Sequence, residues 1–174
     1  MSLKGEESYQ KGRDFEEKVA EWLKKSYGFD CQTRDWVRAS STQRGYDVDV
    51  HAWKTTGYTL PMKQIPRLMV KGEAELQEER VDVWVECKAY KVKHRHIRDL
   101  ISKVKDLKES CAKGVSEWCP DILMVVSNYG FDIDALGLAN EYRVYCVEFG
   151  EKGRKFIGDL TSADLKDLEK AVLY

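Results

Sequence analysis

Two stretches of this chain alternate apolar and charged residues with a period of two. Gly45-Tyr46-Asp47-Val48-Asp49-Val50 carries two carboxylates two residues apart, and the apolar run Val81 to Val85 leads into Glu86-Cys87-Lys88. A strand sends alternate side chains to the same face. Asp47 and Asp49 are therefore expected to share one face of the first strand, and Glu86 and Lys88 one face of the second. Val48, Val50, Val85 and Cys87 should point the opposite way. If the two strands pair with their charged faces aligned, three carboxylates and an ammonium converge on one spot.

The period changes to that of a helix in four places. From Lys11 to Tyr27, the residues Phe15, Val19, Trp22 and Leu23 form one apolar stripe, and Gly28 supplies a stop. On that helix Glu16 falls at the edge of the stripe while Glu17 projects almost opposite it. His96 to Lys108 places Ile97, Leu100, Ile101, Val104 and Leu107 on one face, and Asp132 to Tyr142 reads as a third helix. Ser162 to Leu173 closes the chain, with Ser162 as N-cap and Leu165, Leu168 and Val172 as its apolar face. Phe29 to Val37 is a further strand. Ile122 to Ser127 is apolar throughout, the mark of a central strand covered on both sides. Val144 to Phe149 follows a strand and a helix, a unit that favours parallel pairing. The order αβββαβαβ predicts an α/β fold with a mixed sheet flanked by helices.

Three segments lie outside this pattern. Met1 to Tyr9 is polar and expected to be loose. Arg38 to Arg44 is a polar loop entering the Asp47–Asp49 strand. Lys54 to Arg80 is broken by Gly57, Pro61, Pro66 and Gly72, and reads as an inserted hairpin or flap with a short strand at Arg67 to Val70. The length of 174 residues suits one domain with its own core. Five cysteines form no Cys-x-x-Cys, and the odd count argues for reduced thiols and a cytoplasmic setting. The spacing of Cys111, Cys119, His94 and His96 matches no common zinc pattern. No stretch of about 18 apolar residues occurs, so neither a membrane span nor a secretory leader is expected.

Charge changes the picture through its distribution, since the net value is only −1. Between Lys88 and Lys113, nine Lys or Arg stand against three acids, a local +6. Such a strip suits contact with a phosphate backbone, and Lys91, Lys93, Arg95 and Arg98 are its candidates for DNA binding. The converging carboxylates are expensive unless a hard cation neutralises them, and oxygen ligands suit Mg²⁺ or Mn²⁺.

An Asp-bearing strand followed by Glu-x-Lys at the end of the next, after a Glu-bearing helix, resembles the PD-(D/E)xK nuclease superfamily. That group includes restriction enzymes, Mrr-like endonucleases and archaeal Holliday junction resolvases. The likeness covers Gly12 to about Leu107, and the later strand–helix–strand resembles the tail of Mrr-like catalytic domains; the "PD" proline is absent, Tyr46 preceding Asp47 and Val48 preceding Asp49. The resemblance implies a restriction endonuclease-like fold, metal-dependent DNA cleavage and a homodimer. It implies Asp49 and Glu86 as metal ligands, with the Cys87 carbonyl completing the shell, and Lys88 acting on water or phosphate. Because neighbouring carboxylates oppose a lowered lysine pKa, stabilising charge is the better role for Lys88 than general base. Geometry leaves Asp47 and Asp49 both open, while relatives favour Asp49 with Asp47 as helper. Glu16 matches a glutamate that assists the metal site in relatives, and Ser40 or Ser41 matches a loop serine of the junction-resolving ones. Arg38 and Arg44 of the same loop would then lie near the DNA. Two alternatives stay open: a junction-selective nuclease, and a noncatalytic nucleic-acid-binding or assembly module of the same fold. No separate target-recognition domain fits, so sequence readout would fall to the 54–80 insertion or a partner chain.

Overall fold

In a computed structural model describing residues 3–42, 44–58 and 77–166, six strands form one mixed sheet in the order β1-β2-β3-β4-β5-β6. β1 (Asp30–Val37), β2 (Tyr46–Tyr58) and β3 (Gln77–Lys88) are an antiparallel meander. β4 (Ile122–Ser127) and β5 (Val144–Gly150) continue the sheet in parallel with β3, and β6 (Gly153–Ile157) folds back antiparallel on β5. The protein is therefore an α/β protein, as the alternation of periods predicts. Among the described residues no helix is long and apolar enough to cross a membrane.

The helices divide between the two faces. α1 (Leu3–Tyr27) packs Phe15, Val19, Ala20 and Leu23 against Val50, Val83, Val85, Met124 and Val126, and Leu165 of α4 (Ser162–Lys166) joins that layer. On the other face, α2 (His94–Ala112) and α3 (Ile133–Glu141) cover Trp84, Leu123, Val125, Val144 and Cys146. All five stripe residues of α2, from Ile97 to Leu107, are buried. Fully burying one such side chain is worth about 1.5–3 kcal/mol. Packing thus supplies most of what holds α2, whose first turn carries no acid and whose start is capped by the Lys93 amide donating to His96 Nδ1 at 2.9 Å. β4 alternates between the layers and is buried at every position, which explains its unbroken apolar run.

Several expectations need correction. α1 reaches back to Leu3, so the polar N-terminal residues from there on are helical rather than loose. β6 is an additional strand, without a signal in the sequence because Gly153-Arg154-Lys155 on an exposed edge lacks an apolar alternation. Thr161, not Ser162, caps α4: its hydroxyl and amide both bond Asp164 (2.6 and 2.7 Å), while Ser162 Oγ is engaged by Tyr27 Oη at 2.8 Å. β2 and β3 extend to Tyr58 and from Gln77, so both ends of the 54–80 insertion prolong the central hairpin. Residues 59–76, including the strand expected at Arg67 to Val70, lie outside the described residues, as do Leu168 and Val172. The last correction bears on function. Val50 packs in the α1 layer but Val48 packs in the α2 layer, so strict alternation fails at Asp49 between them.

The hairpin is also held by a polar cluster on its α2 side. His51 is buried, with Nδ1 2.6 Å from Asp35 and Nε2 2.7 Å from Asp82 and 3.4 Å from Arg80 Nη2. Trp118 stacks on the ring at 3.7 Å and donates to Asp35 at 3.1 Å, while Arg80 bonds Asp82 at 2.7 Å. Without the ring, the carboxylates of Asp35 on β1 and Asp82 on β3 would both lose their shared partner on β2. His51→Ala should therefore lower the urea-unfolding free energy by about 3 kcal/mol or more. His51→Phe, which restores the stack without the hydrogen bonds, should recover only part of it. A variant as stable as the wild type would show the cluster to be dispensable.

Candidate functional site

The break in alternation creates the site. The β2–β3 ladder ends at Val50 opposite Val85, and the next inward amide, Cys87 N–H, donates to Asp49 Oδ2 at 2.7 Å. A side-chain carboxylate thus takes the place a strand carbonyl would have filled. On β3 itself, Lys88 Nζ donates to Glu86 Oε1 at 2.6 Å, and Trp84 Nε1 donates to Glu86 Oε2 at 3.2 Å. From the α1 layer, Glu16 accepts from Arg34 Nε at 3.0 Å. Arg34 has φ of 54°, a left-handed conformation uncommon for a side chain with a Cβ, and it lies between the ladder pairs Thr33–Val50 and Asp35–Val48, facing Asp49.

The electrostatics follow from crowding. Burial, then the charge of Glu86, pushes the Asp49 carboxyl up to about 7 from its ordinary 3.8, with Glu16 adding to the rise. The Cys87 amide and Lys88 oppose that rise without cancelling it. Burial disfavours the Lys88 ammonium, but Glu86 and Asp49 outweigh it and hold that charge above its ordinary value. Lys88 is thus a fixed cation, as its neighbours imply, and a poor proton acceptor. Burial, followed by the surrounding carboxylates, pushes the Cys87 thiol well up, so the thiol is inert and only the peptide carbonyl is a candidate ligand.

Asp49, Glu86, Lys88 and Glu16 are brought together; other candidates are not. Asp47 is exposed, on the strand before the face change, and makes none of these contacts. Glu17 is exposed, as the helical geometry predicts. Ser40 bonds Ser110 through its amide (2.8 Å) and hydroxyl (3.1 Å), and Ser41 bonds Asp106, so both serines pin their loop to the second half of α2 rather than reach the carboxylates. Arg38 pairs with Glu117 at 3.0 Å, and Arg44 is exposed. Gly45 is required at the end of this loop: with φ of 72°, a Cβ there would lie 2.3 Å from the Val37 carbonyl. Lys91, Lys93, Arg95 and Arg98 are all exposed. Two further residues at the site, Arg34 and Trp84, have no signal in the sequence. Neither carries a motif; their roles come from which strand lies opposite Asp49 and which indole stands two residues before Glu86.

The donors fit a hard divalent cation. Each carboxylate oxygen offers two lone pairs, so the hydrogen bonds from Cys87, Lys88 and Trp84 leave acceptor sites on both Asp49 and Glu86. Burial and the neighbouring Glu86 charge make Asp49 reluctant to ionise, which a bound cation would relieve. Among the described residues no three His, Cys, Asp or Glu side chains form a ready-made cage, so the set is two carboxylates plus the Cys87 carbonyl. Comparison with protein-family models, with curated proteins and with solved structures finds no match.

The raised carboxyl has a signed consequence. Its folded value lies above its unfolded one, so in metal-free buffer its contribution to stability is complete below pH 3.8, declines as pH rises, and is gone above about 7. Between about pH 5 and pH 8 the urea midpoint of the wild type should fall relative to that of Asp49→Asn, which lacks this component. Parallel curves would remove Asp49 from a charge-starved site. Metal affinity should rise over the same interval, because the ion competes with that proton.

Proposed function

We propose that the protein is a metal-dependent nuclease that hydrolyses phosphodiester bonds in DNA, using Mg²⁺ or Mn²⁺. The observation that carries this reading is the meeting of Asp49 and Glu86 beside Lys88, where β2 and β3 part company. The resemblance to the PD-(D/E)xK nucleases in the order of these residues supports it. Asp49 and Glu86 would hold the cation together with the Cys87 carbonyl. Once bound, that ion supplies charge to the phosphoryl oxygens and makes an attacking water more acidic.

The chain's own groups do the rest. Lys88, kept cationic by Glu86, neutralises charge developing on the phosphate, which favours the transition state over the ground state. Trp84 holds the second Glu86 oxygen, so the carboxylate has one orientation and not several. Arg34 does the same for Glu16. Lys91, Lys93, Arg95 and Arg98 take the flanking phosphates, at the start of a helix whose first turn carries no acid.

Asp49→Asn and Glu86→Gln keep shape and remove a ligand charge, so each should reduce Mg²⁺-dependent nicking of supercoiled DNA by at least about a hundredfold. Lys88→Ala should bind metal normally in calorimetry yet lose cleavage to a similar extent. Glu16→Gln should act more weakly, Glu17→Gln not at all, and EDTA should abolish nicking by the wild type. Cleavage at the wild-type rate in both Asp49→Asn and Glu86→Gln would overturn the proposal. Reversing the charges of Lys91, Lys93, Arg95 and Arg98 should weaken DNA binding and flatten its salt dependence, by about 0.9 in the log–log slope for each phosphate no longer neutralised.

A further inference from the structure

The turns that follow β3 and β4 leave the sheet at the same end, and one buried hydroxyl ties them together. Ser127 Oγ donates to the Tyr90 carbonyl at 2.8 Å and accepts from the Tyr129 amide at 3.1 Å. The Val92 amide donates to the Gly130 carbonyl and the Asp132 amide to the Val92 carbonyl, both at 2.9 Å. The two turns are therefore one hydrogen-bonded rim. Ser127 is the register partner of Lys88, so the rim stands beside the carboxylate–lysine cluster.

The rim presents aromatic faces to solvent. Tyr90 is 48% exposed and Tyr129 67%, and Ile133, at the start of α3, is 84% exposed. A single exposed tyrosine is ordinary. Two on one braced rim, next to Lys91, Lys93 and Arg95, match the composition that binds unpaired nucleotides: cations for the backbone and flat rings for the bases. Bases inside a duplex already stack on one another and expose only their edges, so a tyrosine face has nothing to stack on there. The Tyr90 ring lies 5.1 Å from that of His96, at the N-terminal turn of α2 among the cations. Glu148 Oε2 stands 3.4 Å from where a side chain at Gly130 would begin, and the exposed Asp134 lines one cleft with His94 and Ile133.

We infer that the Tyr90–Tyr129 rim binds unpaired nucleotides of DNA adjacent to the phosphodiester offered to Asp49, Glu86 and Lys88, so that the favoured substrate carries a single-stranded segment. This rests on the nuclease reading for its cleavage site, but not for its binding. The test is fluorescence anisotropy with the full chain in EDTA. The ligands are a labelled single strand of about 20 nucleotides, a blunt duplex of the same sequence, and that duplex with a single-stranded tail. The wild type should prefer the single strand and the tailed duplex to the blunt one. Tyr90→Ala and Tyr129→Ala should each weaken single-strand binding by about tenfold and blunt-duplex binding far less. Tyr90→Phe, which keeps the ring, should bind as the wild type does. Unchanged thermal melting of the alanine variants separates this from misfolding; if they melt early, the Phe variant and the wild-type preference carry the test. Equal weakening on both DNA forms, no weakening, no preference in the wild type, or a Phe variant as weak as Ala would each overturn the inference. Selective binding in a protein that never cleaves would refute the nuclease reading and leave the rim intact. Nicking abolished by Asp49→Asn, with affinities indifferent to Tyr90 and Tyr129, would do the reverse.

Discussion

One hydrogen bond organises the centre of this protein: the Cys87 amide donating to the Asp49 carboxylate. A buried amide must be satisfied, and along a regular ladder a strand carbonyl would do it. Here the ladder stops at Val50 and Val85, and a side chain takes over. β2 can then change faces across Asp49, sending Val48 into the α2 layer while Val50 stays under α1. Both cores are filled, and a carboxylate is left in the gap between them. Its position opposite Arg34, in left-handed backbone, marks the same local departure from regular sheet on the neighbouring strand.

That placement brings Glu16, Asp49 and Glu86 together with two cations among the described residues, Lys88 and Arg34. Burial and that crowding together push the Asp49 carboxyl up to about 7. A folded core does not ordinarily retain so many acids at a half-buried point, because replacing them with apolar or neutral groups would be easier to bury. The retained excess of negative charge is what a divalent ion would relieve. This is the physical reason for proposing a metal site and not a structural ion-pair network.

The same hairpin carries a second polar cluster with the opposite character. Around His51 the hydrogen bonds are shared out: Asp35 is met by the imidazole and the Trp118 indole, and Asp82 by the imidazole and Arg80. That cluster is closed and braced by stacking, whereas the Asp49 cluster is unbalanced and lies where the strands end. The contrast separates ionic groups that hold the hairpin from those free to engage a ligand. The parallel strands extend the logic, since β3 and β4 deliver Lys88, Tyr90 and Tyr129 to one end of the sheet.

Much of this was legible along the chain. The apolar stripes of α1 and α2 and the alternation around Asp47 and Asp49 followed from periods of 3.6 and 2, while the unbroken apolar run of β4 marked a strand buried on both faces. β6 escaped, since an exposed edge strand has no such face to announce it. Glu86 and Lys88 were paired by spacing alone, as residues two apart on one strand must be, and Glu16 was separated from Glu17 by helical geometry. The choice between Asp47 and Asp49 was not legible. Alternation gave them the same face, and only the ending of the β2–β3 ladder at Val50–Val85 sets Asp49 on the Cys87 amide and leaves Asp47 in solvent. Arg34, Trp84 and the true partners of Ser40 and Ser41 were equally hidden, because they depend on contacts between distant segments. Local sequence determined which residues share a face; tertiary pairing decided which faces meet, since a hydrogen-bond ladder and its ending belong to two strands and never to one.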